Sequence, residues 1–347
     1  MIERRISKLK EKMREFDVDA VVLFSDSDIR YFTGVDVSGV LVVYDDAILF
    51  VSPLYFQKAK ENLSDRAKES RSLDDVVEFL KSQKLKRVGL DFIKTTHRQA
   101  KAFEEFDIVD FTNQTLIIRM IKEREEINQI KRAAFAARNA FLKVYPTLKP
   151  GITEKEFADE LAYQIRKAGA QKESFDIIVA SGPNAAHPHH IPTDKKIEDG
   201  EFVVIDFGAT VDGYNSDTTY TFLMGEKDDE KKELFNAVFY AQLYATEMIA
   251  PGRTKANEVD ARVRKELAKY GLDKYFIHST GHGVGLDVHE FPFINADSDI
   301  VLQKDMVFTI EPGIYIPNRL GIRLEHMVLV HDMDTEVIAF TPFMEIM

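Results

Sequence analysis

Four carboxylates stand at mirror positions about two turns. Asp206 and Asp217 lie in VVIDFGATVDGYNSDTTYTF, whose midpoint between the two falls at Val211/Asp212, beside the turn signal Asp212-Gly213. Glu311 and Glu325 lie in VFTIEPGIYIPNRLGIRLEHMVLV, and their midpoint is Asn318 within Pro317-Asn318-Arg319. Each segment reads as a strand, a turn and a returning strand. Residues equidistant from a hairpin turn face one another with side chains at roughly 4.5–5.5 Å. Like charges so placed repel, and buried carboxylates are costly without compensation. No Lys stands beside any of the four. A lone strand Asp would more simply be exposed or paired with a distant Arg, but two facing pairs in apolar hairpins point to bound cations.

The histidines sharpen this. Most of the nine cluster in two segments, His187, His189 and His190 in NAAHPHHIPT and His278, His282 and His289 in FIHSTGHGVGLDVHE. Gly281 and Gly283 flank His282, so the backbone can turn tightly there and a ligand can approach. The chain has no cysteine, which excludes thiolate ligation and leaves oxygen and imidazole. One His with four carboxylates balances two divalent ions and suits Mn, Co, Zn or Fe better than Ca or Mg. Water bridging two such ions would be deprotonated near neutral pH and become a nucleophile. His189 and His289 lie close in sequence to the acidic segments, where an imidazole can donate to a carbonyl oxygen or its tetrahedral product. His187 and His190 read as loop residues, His278 equally well as a packing residue, and His331 as surface.

Positioning such a centre requires two hairpins brought together, and the chain carries a repeat that would do so. Pro150-Gly151-Ile152-Thr153 is echoed by Pro251-Gly252-Arg253-Thr254. Each follows a long helical pattern and opens another, Thr153 with Glu156 as a capping box and Thr254 as an N-cap. Those helices stop at Gly169 and Gly271, and each half then supplies a strand-rich region with one acidic hairpin. A long helix over about 122–145 opens this part, with Glu123, Glu125 and Glu126 at its start. Ahead of it, residues 1–120 alternate helical and strand patterns: a strand at Ala20–Phe24, a hairpin around Asp45-Asp46 and a strand at Arg87–Phe92. His97 reads there as a surface helix residue. The expectation is a small α/β domain over 1–120 and a larger domain over 121–347 with a pseudo-two-fold repeat.

At 347 residues and 45% hydrophobic content the chain supports two such cores. The net charge of −12 argues against a nucleic-acid partner. The first residues, MIERRISKLKEKMREF, space Ile2, Ile6, Leu9, Met13 and Phe16 at helical intervals, which is an amphipathic helix and not a signal peptide. No segment reaches the apolar length of a membrane span, so a soluble cytoplasmic protein is expected.

The set FDIIVASG, PHHIP, IDFGA with NSD, HSTGHGVGLDVHE, TIEPGIYIP and GIRLE resembles the metallopeptidases of the pita-bread fold. It is most similar to the Xaa-Pro dipeptidases (prolidases) and the related Xaa-Pro aminopeptidases. The resemblance extends to RYFTGV in the N-terminal part and to KEREEINQIKRA at the start of the long helix that links it to the second. It implies an α+β protein in which a creatinase/prolidase-type N-terminal domain precedes a pita-bread catalytic domain. It further implies a dinuclear centre held by Asp206, Asp217, His282, Glu311 and Glu325, with Glu311 also the proton shuttle. His289 would stabilise the scissile carbonyl as it becomes tetrahedral, His189 would contact substrate at the scissile bond, and Arg323 would lie near the substrate's end. The substrate would be an Xaa-Pro peptide cleaved before proline, and the protein a homodimer. Two departures stand out: Phe293 replaces an Arg that dipeptidases often carry for the free carboxylate, and His326 replaces an Asp after the last Glu. The first leaves open an Xaa-Pro aminopeptidase acting on longer peptides. A metal-free creatinase-like hydrolase, a non-catalytic peptide-binding module and a phosphoryl-transfer enzyme fit the intact ligand set less well.

Overall fold

The computed structural model describes residues 1–225 and 228–339; the last stretch assigned above to the second domain, 340–347, lies outside the described residues. One compact unit covers Met1–Arg119 and a second begins at Met120. Among the described residues no helix is long and apolar enough to cross a membrane.

The first unit contains α1 (Ile2–Glu15), β1 (Ala20–Leu23), α2 (Asp26–Thr33), β2 (Val40–Val43), β3 (Ala47–Val51), α3 (Pro53–Leu63), β4 (Ala67–Glu69), α4 (Leu73–Ser82), β5 (Arg87–Leu90), α5 (His97–Ala102), β6 (Asp107–Asp110) and α6 (Gln114–Met120). Its six strands form one sheet in the order β4-β3-β2-β1-β5-β6. The central strands β1 and β2 are short runs of Val, Leu and Ala, almost wholly buried, as a sheet covered by helices on either side requires. The hairpin β2–β3 turns at Tyr44–Asp46, and His97 is exposed at the start of α5.

The second unit opens with α7 (Arg124–Val144) and α8 (Glu154–Lys167), followed by β7 (Lys172–Glu173), β8 (Ile178–Ser181), β9 (Phe202–Phe207), β10 (Ala209–Val211), β11 (Tyr214–Asn215) and β12 (Thr218–Leu223). The pattern then repeats with α9 (Asp229–Glu247), α10 (Ala256–Ala268), β13 (Gly281–Gly283), β14 (Glu290–Ile294), β15 (Val307–Ile310), β16 (Gly313–Ile316), β17 (Leu320–Arg323), β18 (His326–Val330) and β19 (Thr335–Ile338). Each helix pair lies on its own strands over a separate apolar core. In the first half Ala133, Ala137 and Ala140 on α7 let the helix approach closely, and Phe141 stacks on Phe207 at 5.2 Å. In the second, Val238, Val259 and Val263 pack against Phe308, Ile322 and Val328.

The pseudo-two-fold reaches individual hydrogen bonds. Gly151 N–H donates to Ile197 O (2.9 Å) and Gly252 N–H to Leu302 O (2.8 Å). Thr153 bridges Lys196 in one half, and Lys255 bridges Val301 in the other. Gly169 and Gly271 follow the second helix of each pair at φ 98° and 68°, the left-handed region that glycine enters freely. The caps differ. Thr153 and Glu156 form the expected box, but α10 starts one residue later relative to its Pro-Gly, so Lys255 is the N-cap and Glu258 accepts its N–H. Thr254 is therefore not a cap: its hydroxyl accepts from Ala250 N–H and donates to Met248 O, closing the turn before the helix.

Candidate metal centre

Threonines of β12 join the two halves where a β-ladder would otherwise run. Thr221 Oγ1 donates to Arg323 O (2.7 Å) and Thr218 Oγ1 to Glu325 O (3.0 Å), while Glu325 N–H donates to Thr219 O (3.0 Å). These bonds set the first acidic hairpin against the second.

Within the first hairpin, Asp206 of β9 faces Thr219 of β12, and Asp217 lies two residues before Thr219 on the same face. The two aspartates are thus diagonal neighbours and not directly opposed as the midpoint reading held. Asp212 and Gly213 both take positive φ (46° and 73°), a two-residue turn that closes on Val211 and Tyr214, so Asp206 pairs with Thr219, two residues beyond Asp217. In the second hairpin, Gly313 pairs Arg323 and Ile310 pairs His326, so Glu311 and Glu325 keep a common register about Asn318, itself at φ 58°. His282 sits on β13 between two glycines that have no room for a side chain. A Cβ on Gly281 would lie 1.9 Å from Thr309 O, and one on Gly283 would lie 2.1 Å from Phe291 O.

The five side chains converge. His282 Nε2 lies 3.3 Å from Glu311 Oε1 and 3.6 Å from Asp217 Oδ2. Asp217, His282 and Glu325 each offer a ligand atom within 4.8 Å of the others, and all three are buried. One counter-charge that the sequence reading did not foresee is present: Arg323 Nη2 donates to Asp206 Oδ2 at 2.6 Å. The same guanidinium donates from Nη1 to Tyr315 Oη (2.8 Å) and Pro188 O (3.3 Å) and from Nε to Thr219 Oγ1 (3.2 Å). Thr219 in turn donates to Glu325 Oε2 (2.7 Å).

Two of the other three acids, Asp217 and Glu325, are not balanced by the protein. Burial, then the charges of Glu325, Asp206 and Glu311, push the Asp217 carboxyl well above its ordinary value. Burial and the charges of Glu311 and Asp206 do the same to Glu325. Burial raises Asp206 despite Arg323. Glu311 goes the other way: burial is outweighed by the hydrogen bond and charge of His282, holding it at about 2. Asp206 Oδ1 and Asp217 Oδ1 are buried with no hydrogen-bond partner. Unpartnered buried carboxylate oxygens beside an imidazole are the donor set that divalent cations of the Mn–Zn group take, so these residues fit a metal centre.

The centre forms one wall of a cavity of about 860 Å³. His289 lies at its edge with its ring 4.2 Å from that of His282. Burial and the His282 charge lower its pKa, which favours the neutral imidazole. Beside it, Glu290 pairs with the buried Lys122. His189 lines the cavity from the loop between β8 and β9 and is exposed. His278 Nε2 is 2.8 Å from Tyr315 Oη, and burial pushes the Tyr315 phenol up to about 12. Tyr315 and Thr219 carry no signal in the sequence beyond strand alternation, and the contacts of Thr219 with Glu325 and Arg323 span the two halves. His326 meets Thr246 of α9 at 3.0 Å, away from the cavity lining, and burial lowers it to about 4. His187 is exposed, and His331 pairs with Glu336 at 3.0 Å.

His190 is not an idle loop residue: it meets the buried Glu154 at 2.9 Å. Burial would raise that carboxyl, but hydrogen bonds from His190, Ser181 and Thr193 together hold it below its ordinary 4.5. A depressed carboxyl contributes stability that is complete above its unfolded pKa and is lost as pH falls through the folded value. Wild type is therefore expected to lose more stability than Glu154→Gln between about pH 5 and about pH 3, read from urea midpoints at both pH values. An equal loss in the two proteins would contradict this.

A repeated helix-pair and strand unit that aims buried acids and a histidine into one cavity defines a metallohydrolase of the pita-bread type. The chain belongs to metallopeptidase family M24, which residues 128–332 match, while residues 5–121 match the creatinase/prolidase N-terminal domain. It is 37% identical to the Xaa-Pro dipeptidase of Pyrococcus furiosus over 335 residues, 95% of each chain. The solved Xaa-Pro dipeptidase from Bacillus anthracis superposes with a TM-score of 0.93 at 34% identity, over 99% of this chain and 98% of that one. An X-Pro aminopeptidase from Thermotoga maritima gives 0.84 at 32% identity, over 96% and 98%. Membership of this family implies use of a divalent metal, and the expected fold class is the one found.

Proposed function

We propose that this protein hydrolyses the peptide bond before proline as an Xaa-Pro dipeptidase, using two divalent ions (Mn, Co, Zn or Fe) held by Asp206, Asp217, His282, Glu311 and Glu325. The observation that carries the reading is the buried cluster of under-compensated carboxylates, two of them with unpartnered oxygens, opening on the cavity. When bound, the ions supply Lewis acidity and lower the pKa of water. The chain's own residues supply the proton transfers. Glu311, held ionised beside His282, takes a proton from the attacking water and passes it to the prolyl nitrogen, which has no N–H of its own and must gain a proton to leave. Neutral His289 donates to the carbonyl oxygen as negative charge develops there. His189 contacts the substrate around the scissile bond, and Arg323 keeps Asp206 and Tyr315 oriented. The division at 120/121 places all these groups in the second domain. A homodimer belongs to the same reading and is checked by light scattering.

The second reading, an Xaa-Pro aminopeptidase, is favoured by one observation. Among the described residues lining the cavity, Arg323 is the only Lys or Arg, and its donors are committed to four acceptors. Phe293 lines the cavity where dipeptidases often carry Arg. The test is metal-dependent turnover of Ala-Pro and Ala-Pro-Ala, with metal content measured. Ala-Pro cleavage that chelation abolishes supports the dipeptidase; cleavage of Ala-Pro-Ala alone supports the aminopeptidase; neither reaction overturns both. Phe293→Arg is expected to lower KM for Ala-Pro by about tenfold, one charge-assisted hydrogen bond, with little change for Ala-Pro-Ala. Equal effects on the two would show that position 293 does not meet the carboxylate.

A further inference from the structure

Glu154 is the first residue of α8, its side chain fully inaccessible, and it does not line the cavity. Its two oxygens nevertheless gather a loop that does. Oε1 accepts from Ser181 N–H (2.8 Å), Ser181 Oγ (2.8 Å) and Asn184 Nδ2 (3.1 Å). Oε2 accepts from Thr193 N–H (3.2 Å) and Thr193 Oγ1 (2.8 Å), and meets His190 Nε2 at 2.9 Å. Ser181 ends β8 and Thr193 closes the far end of the loop, so one carboxylate ties both ends together and grips two residues between them.

What this loop carries explains why a buried charge is kept there. His189 and Pro188 line the cavity, and Pro188 O accepts from Arg323, the counter-ion of Asp206. The loop also lies flat on β17, where a Cβ on Gly321 would be 1.8 Å from Ala185 O. Only an ionised carboxylate can accept from this many donors at once; a neutral amide would set N–H groups against some of them and release part of the loop. The first turn of a helix favours that negative charge.

We infer that Glu154 is a positioning residue for catalysis: it never touches substrate, and it fixes the 182–192 loop so that His189 meets the scissile bond. The inference rests on the activity proposed above, so its test has two readouts. Hydrogen exchange on the metal-loaded protein is expected to show faster exchange in Glu154→Gln, by about tenfold or more, confined to amides of 181–193, whose two end amides donate to the carboxylate. Kinetics on Ala-Pro are expected to show kcat/KM lowered about 10–100-fold with bound metal unchanged. In a His189→Ala background Glu154→Gln should then cost little more, because both changes act on one contact. Unchanged loop exchange, or losses that multiply in the double variant, would overturn the inference. Should Glu154→Gln fail to fold, Thr193→Val, which removes one donor and keeps shape, carries the same two measurements with smaller effects in the same direction. If wild type cleaves neither Ala-Pro nor Ala-Pro-Ala, the proposed activity fails, and hydrogen exchange alone decides the role of Glu154.

Discussion

Asp217→Asn is expected to abolish turnover and, at the same time, to make the metal-free protein more stable than wild type. Asp217 is buried, one of its oxygens has no partner, and its nearest charged neighbours include Glu325, Asp206 and Glu311. Without cations, folding forces these like charges together at a cost that an amide of the same shape avoids. The sign follows from the raised carboxyl: an acid held above its unfolded pKa opposes folding at neutral pH, where it is forced to ionise. The chelated variant is therefore expected to unfold at a higher urea concentration than chelated wild type. Saturating metal should reverse the order, since a ligand at about a hundredfold its Kd stabilises the protein that binds it by about 2.7 kcal/mol. Turnover should fall by about a thousandfold or more, the scale of losing preorganised charge at the reacting centre. Denaturant melts with and without chelator, metal content and Ala-Pro kinetics together make the check. A chelated Asp217→Asn less stable than chelated wild type, or one that binds metal and turns over normally, would remove Asp217 from the centre.

Arg323→Met should be the most destabilising change in the cavity wall, by about 3–5 kcal/mol, the usual result of removing one partner from a buried pair. Arg323 and Asp206 are 4% and 9% exposed, and the guanidinium satisfies four acceptors drawn from three parts of the chain. Removing it leaves Asp206 facing Glu311 without compensation, deprives Tyr315 of a donor and frees Pro188 O. Asp206→Asn in the same protein should recover about 1–3 kcal/mol of the loss, a coupling typical of contacting residues. The resemblance instead assigned Arg323 to the substrate's end. That role predicts a higher KM for Ala-Pro with little change in unfolding free energy. Urea titrations and KM values separate the two, and an unfolding free energy within about 0.5 kcal/mol of wild type would defeat the structural role.

The strands, turns and helix pairs were legible because their signals are local. The alternation around Asn318 set Glu311 and Glu325 in one register, as the ladder now has it. The two Pro-Gly turns marked the repeat, and the glycines around His282, read as room for a tight turn and a ligand's approach, are places where backbone packs on backbone. Small errors arose where side-chain chemistry chose between neighbouring positions. The Asp212-Gly213 turn set Asp206 opposite Thr219 and not Asp217, and Thr254 turned its hydroxyl to the loop and not to the helix. The Glu154 cluster escaped the sequence reading because its donors come from four separate positions between 181 and 193, none of which shares a period with the helix.

The sequence by itself thus determined which residues could bear the chemistry: periodicity and turn propensity act over a few residues and place each acid in or next to its strand. The tertiary structure alone decided which charges meet. Arg323 lies 117 positions from Asp206 and Thr219 lies 106 from Glu325, and no local pattern encodes such pairings. Desolvation and Coulomb energy depend on distance through space. Only the packed fold shows that one acid is balanced by arginine, one by histidine, and that the other two are left without a counter-charge.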